Sequence, residues 1–117
     1  MKLITAIVKP EKLDELIQSV IDAGVRGLTV TDVRGFGRQF GQLTAAWHAA
    51  GVTTERQTAL LPKIRLDIVV LDDDAETMIE TIAKCANTGT IGDGKVWVTE
   101  VDSVLRVRTG ERDRDAI

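Results

Sequence analysis

A chain of 117 residues with 28% charged and 44% apolar side chains is sized for one domain around a single core and is too apolar for a disordered polymer. A net charge of −3 with scattered basic residues argues against nucleic acid, and the longest apolar runs fall far short of the ~20 residues of a membrane helix. One cysteine and no tyrosine exclude an internal disulfide and any tyrosine chemistry, and the N-terminal apolar stretch is too short for a signal peptide, so the cytoplasm is the expected compartment.

Residues 3–8 form an apolar, β-branched run that closes at Lys9-Pro10, as a strand does before a proline. Leu13, Leu16, Ile17, Val20 and Ile21 then recur at helical spacing, with Gly24 where a helix C-cap favours glycine. Residues 27–36 alternate and predict a second strand. Residues 37–61 have no clean period and predict a long loop. Ile64, Leu66, Ile68 and Val70 alternate with Lys63, Arg65 and Asp67, a third strand with one wet face near its start. Ala75, Met78, Ile79, Ile82, Ala83 and Ala86 predict a second amphipathic helix, opened by the acidic run Asp72-Asp73-Asp74. A glycine-rich loop over 87–95 leads to a last strand over 96–100 and a polar tail with a C-terminal loop over 106–117.

The order β-α-β-loop-β-α-β predicts a single α+β domain over 1–117, a ferredoxin-like sandwich with both helices on one sheet face. Both alternating sets of the first strand, Leu3, Thr5, Ile7 and Ile4, Ala6, Val8, are largely apolar, and Trp97 faces away from Val96 and Val98 in the last strand. The helices cover only one face. The other therefore predicts an oligomer with sheets packed around a shared core.

Three segments carry candidate chemistry. Gly35-Phe36-Gly37-Arg38-Gln39-Phe40-Gly41 follows a strand, but it misses the dinucleotide fingerprint by one position and no helix follows. It is either a flexible loop base or a place where backbone N–H groups approach an anion. Gly89 to Lys95 matches part of a P-loop by spacing, yet Val96 stands where Ser or Thr would hold magnesium and the order is helix-loop-strand. That rejects a Walker mechanism and leaves a phosphate cradle or an ordinary turn. In Arg106-Val107-Arg108 an extended chain would aim both guanidiniums at one site, where they could clamp phosphate oxygens; a solvated strand face is the plain alternative. His48, the only histidine, lies in the long loop without metal-ligand partners. Cys85, on a helix between Ile82 and Ala86, reads as a small buried hydrophobe. Phe40 and Trp47 either tuck back onto the body or form a contact surface. Trp97 reads as core or subunit interface.

Taken together, Met1 to Pro10, Lys12-Leu-Asp-Glu, Gly27-Leu-Thr-Val-Thr, Gly35-Phe-Gly-Arg-Gln, Leu61-Pro-Lys, Thr88-Gly-Thr-Ile-Gly-Asp-Gly-Lys-Val-Trp-Val and Arg106-Val-Arg-Thr-Gly-Glu closely resemble the PII nitrogen-regulatory signal proteins. The resemblance covers almost the whole chain apart from residues 40–60. It implies a ferredoxin-like homotrimer with nucleotide sites between subunits that take ATP or ADP. By position it implies Gly35, Gly37, Arg38 and Gln39 on one side of the site with Ile7 and Thr29 nearby, Gly92, Asp93, Gly94 and Lys95 around the phosphates, and Arg106 and Arg108 as added charge. It further implies that Gln39 helps hold Mg-ATP and 2-oxoglutarate, that Phe40 and Gly41 line the effector site, and that Lys63 pairs with an effector carboxylate. Charge-assisted contacts of this kind contribute about 1.5 to 3 kcal/mol each.

The long loop departs from the family. It is longer, it lacks the Tyr-Arg-Gly-Ala-Glu-Tyr motif, and Phe40 replaces a residue that is usually basic, so nucleotidylation of a loop tyrosine is excluded. These features imply a non-catalytic, divergent PII-like regulator. Nucleotide and a small anion, 2-oxoglutarate or else bicarbonate as in PII-like proteins of inorganic-carbon metabolism, would select the surface that Phe40, Trp47 and His48 present to a transporter or enzyme. A slow ATPase is the alternative of another class; it lacks an activated nucleophile or base.

Overall fold

The structure is a computed structural model, which describes residues 1–37 and 60–117. Four strands and two α-helices follow in the predicted order: β1 (Lys2–Val8), α1 (Leu13–Asp22), β2 (Thr29–Gly35), β3 (Leu61–Val70), α2 (Asp72–Ala86) and β4 (Lys95–Glu100). Short 3-10 turns span Pro10–Lys12 and Asp113–Ala116.

The sheet order is β2-β3-β1-β4, and every pairing is antiparallel. Ile4 lies opposite Ile68 on one side and Val98 on the other. The first strand is thus central although it comes first in the chain. With both helices following alternate strands, the topology is the predicted ferredoxin-like α+β sandwich.

Alternation decides which face is dry. Ile4, Ala6 and Val8 of β1 and Ile64, Leu66, Ile68 and Val70 of β3 are buried with Leu16 and Val20 of α1 and Ala75, Met78, Ile82 and Ala86 of α2. Full burial of one such aliphatic side chain contributes about 1.5 to 3 kcal/mol. Cys85 differs from expectation in degree: it is only partly buried and packs against the edge of this core.

The helix ends follow local chemistry. Gly24, at φ +101°, closes α1 as the left-handed residue of a Schellman motif: its N–H donates to Ile21 O, and Val25 N–H donates to Val20 O. Asp72, in the first turn of α2, accepts a hydrogen bond from the N-terminal amine at 2.7 Å. That amine, with the Lys2 charge after it, holds its carboxyl below the usual carboxylate range.

The opposite sheet face is partly covered. Thr5, 1% exposed, donates to Asp67 Oδ1 at 2.7 Å, and Arg65 pairs with the same carboxylate. Trp97 is 43% exposed, and β2 is exposed over most of its length. The second strand is two residues shorter at its start than its alternation predicts and ends at Gly35, because it is an edge strand paired only with β3. No helix among the described residues is long and apolar enough to cross a membrane.

Candidate functional site

The loop between α2 and β4 is where local sequence and long-range contacts meet. Asp93 folds its carboxylate back into the loop: Thr88 N–H donates to it at 2.8 Å, Gly89 N–H at 3.0 Å, and the Thr88 hydroxyl donates as well. Lys9, just past β1, lies 3.0 Å from the same carboxylate. The Thr88 donors first, and the Lys9 charge after them, hold the Asp93 carboxyl far below the usual carboxylate range. Asp93 is therefore occupied by its own loop.

Gly94 shows why this loop needs a glycine at its end. Its φ is +98°, and a Cβ there would sit 1.6 Å from the Ile7 carbonyl oxygen. Backbone meets backbone, so neither side chain can relieve the clash. From the neighbouring strand, Lys63 Nζ donates to Gly92 O at 2.7 Å. Burial and the nearby Lys9 charge push the Lys63 ammonium below its ordinary pKa.

These contacts frame a cavity of about 780 Å³. Ile7, Phe36 and Trp97 give it apolar walls, Gly35, Gly37 and Gly92 to Gly94 give it backbone, and Lys63 and Lys95 give it positive charge. Phe36 and Trp97 were not assigned to this site from sequence. Such a mix suits a ligand with a flat apolar part and an anionic part.

Thr29 and Arg106 lie elsewhere. They line a second cavity of about 1250 Å³ with Arg65, Asp67, Glu111 and Arg114. The separation follows from the sheet: Thr29 pairs with Asp67 at one end of β2, and Gly35 pairs with Leu61 at the other. Six residues of extended chain put them about 20 Å apart. Within one chain Thr29 and Gly35 cannot serve one small ligand.

The arginines correct one expectation. Residues 106–110 are a turn and not an extended strand: Gly110, at φ +72°, donates its N–H to Arg106 O at 2.8 Å. Leu105 bridges Arg112 across this hairpin, and Arg106 pairs with Glu111 at 3.0 Å. Strand alternation does not apply here, and Arg108 is exposed within the turn. Arg38, Gln39, Phe40, Gly41, Trp47 and His48 lie outside the described residues. No cluster of three or more His, Cys, Asp or Glu among the described residues could hold a metal ion.

Comparison with known proteins bears on this geometry directly. A family model described as "Nitrogen regulatory protein P-II" matches residues 1–111. The chain is 49% identical over 117 residues to the nitrogen regulatory protein P-II of Pasteurella multocida (strain Pm70), covering all of both chains. It is 47% identical to P-II 2 of Methanothermobacter thermautotrophicus, covering all of this chain and 97% of that one. It is also 47% identical to P-II 1 of Escherichia coli (strain K12), covering all of both. A glycine loop clasped to the end of the first strand, in a ferredoxin-like sandwich matched over nearly its full length, places this chain in the P-II family of nitrogen regulatory proteins.

Proposed function

We propose that this protein is a non-catalytic regulator that binds ATP or ADP in clefts between the subunits of a homotrimer. The observation that carries the reading is the division of the implied nucleotide residues between two cavities of one chain. Ile7, Gly35, Gly37, Gly92, Asp93, Gly94 and Lys95 gather at one end of the sheet, and Thr29 and Arg106 at the other. A site that uses both sets needs two copies of the chain, with the hairpin of one docked near the glycine loop of the next. The half-covered sheet face, with Trp97 exposed, supplies the surface that such an assembly would bury.

In this reading Ile7 and the aromatic walls receive the base and sugar, and the glycine backbone with Lys95 receives the phosphates. Any magnesium would arrive on the phosphates, helped by Gln39. A small anion, 2-oxoglutarate or bicarbonate, would meet Lys63 at the mouth of the cavity, and the long loop would carry the result to a protein target. Without tyrosine, the loop responds to ligands and not to nucleotidylation.

Isothermal titration of the purified full chain with ATP and ADP tests the core of this reading, and sedimentation tests the trimer. Saturable binding of either nucleotide to a trimer is the expected result; no binding of either overturns it. Repeating the ATP titration with 2-oxoglutarate and then with bicarbonate identifies the anion by which one tightens binding.

A further inference from the structure

No motif in the sequence gives Lys9 a role, yet its side chain is held by three oxygens of one loop. It follows the last residue of β1 and precedes Pro10, so its backbone is extended, at φ −66° and ψ 139°, and is fixed by the ring behind it. The side chain is only 13% exposed. An ammonium group has three N–H donors. Three oxygens of one loop lie within reach: Thr90 Oγ1 at 2.6 Å, Asp93 Oδ1 at 3.0 Å and Thr88 Oγ1 at 3.1 Å. All three donors have acceptors inside the chain itself.

The loop needs this constraint. Gly89, Gly92 and Gly94 all sit at positive φ, and glycines lose the most conformational freedom on ordering. The clasp at Lys9 and the backbone contact at Ile7 pin both ends of the loop to the end of β1 and the residue just past it, two positions apart.

We propose that Lys9 is the positioning residue of the glycine loop: its ammonium acts as a resident, tethered cation in a cage of three oxygens. The cage fixes residues 88–93 in the shape that presents Gly92 to Gly94 and Lys95 to the anionic part of a ligand. Lys9 itself does not touch that ligand. The inference rests on the nucleotide reading of the cavity only in its last step, since the cage sets the loop's shape with or without a ligand.

Hydrogen exchange of the Thr88 and Gly89 amides in the nucleotide-free full chain, together with ATP titration, tests it. Lys9→Ala is expected to speed exchange at both amides and weaken ATP binding, each about tenfold. Thr90→Val, which removes one cage oxygen at an exposed position, is expected to act in the same direction and less. Ethylammonium chloride should restore slow exchange and ATP affinity in Lys9→Ala, whereas tetramethylammonium chloride at equal ionic strength, which has no N–H donor, should not. Unchanged exchange in Lys9→Ala, faster exchange with unchanged ATP affinity, or equal rescue by the two salts overturns the proposal. Wild-type protein that binds neither nucleotide overturns the nucleotide reading instead, and the exchange measurements then still decide whether Lys9 sets the loop.

Discussion

The glycine loop over 88–94 and the C-terminal hairpin over 104–112 both carry residues implied in nucleotide binding, and they are built in opposite ways. The loop is held by its own chain. Lys9 and Asp93 cross-link it, Lys63 caps its Gly92 carbonyl, and Gly94 lies against the backbone of β1. The hairpin is held mainly by itself, through the Leu105 bridge to Arg112 and the Arg106 pair with Glu111. Its Val107 is 92% exposed. One region is finished within a single chain, and the other presents its surface outward. The contrast is what a site shared between two subunits would require: a rigid cradle on one copy and a projecting arm on the next.

The largest expected effect sets the two regions' glycines against each other. Gly94→Ala forces a Cβ into the Ile7 carbonyl and should cost about 3 kcal/mol or more in urea unfolding. Gly110→Ala, at a similar positive φ but with open space around it, should cost only about 1 to 2 kcal/mol. Equal losses would break the comparison.

Arg106→Ala comes next. It should weaken ATP binding about tenfold or more in calorimetry, while the unfolding free energy of the nucleotide-free protein moves by no more than about 0.5 kcal/mol.

A smaller effect comes from acid. The Asp93 carboxyl is held far below its ordinary range when folded, so its contribution to stability is fully present above about pH 4 and is lost as pH falls below that. The gap in thermal midpoint between wild type and Asp93→Asn should therefore be widest near neutral pH and narrow in strong acid. A gap that is constant with pH would show that the carboxylate charge does not hold the loop.

The smallest change is Val107→Ser at the hairpin tip. Unfolding should move by less than about 0.5 kcal/mol, since the side chain is already in solvent. A larger loss in the isolated nucleotide-free protein would mean that the tip is packed, and the projecting-arm picture would fail.

Much of this was legible in the residues. The period of Leu13, Leu16, Ile17, Val20 and Ile21 marked α1 and Gly24 its end, because helix periodicity and the left-handed cap are local. The alternation from Ile64 to Val70 marked β3 for the same reason. The spacing of Thr88 to Lys95 marked the glycine loop but not what holds it. Lys9 is 84 positions away from Asp93, and only the sheet brings the end of β1 beside the loop. The extended backbone expected from Arg106 to Arg108 did not form, because the Gly110 turn with its hydrogen bond to Arg106 overrides a strand there.

By itself the sequence determined the order and type of the elements, the dry face of the sheet, the glycine loop and the loss of tyrosine from the long loop. These follow from periodicity, glycine chemistry and composition, which act over a few residues. Only the tertiary structure decided that Asp93 is turned inward, that Lys9 and Lys63 grip the loop, and that Thr29 and Gly35 lie at opposite ends of one strand. Those depend on antiparallel register and on contacts between residues far apart in the chain, which no local pattern encodes.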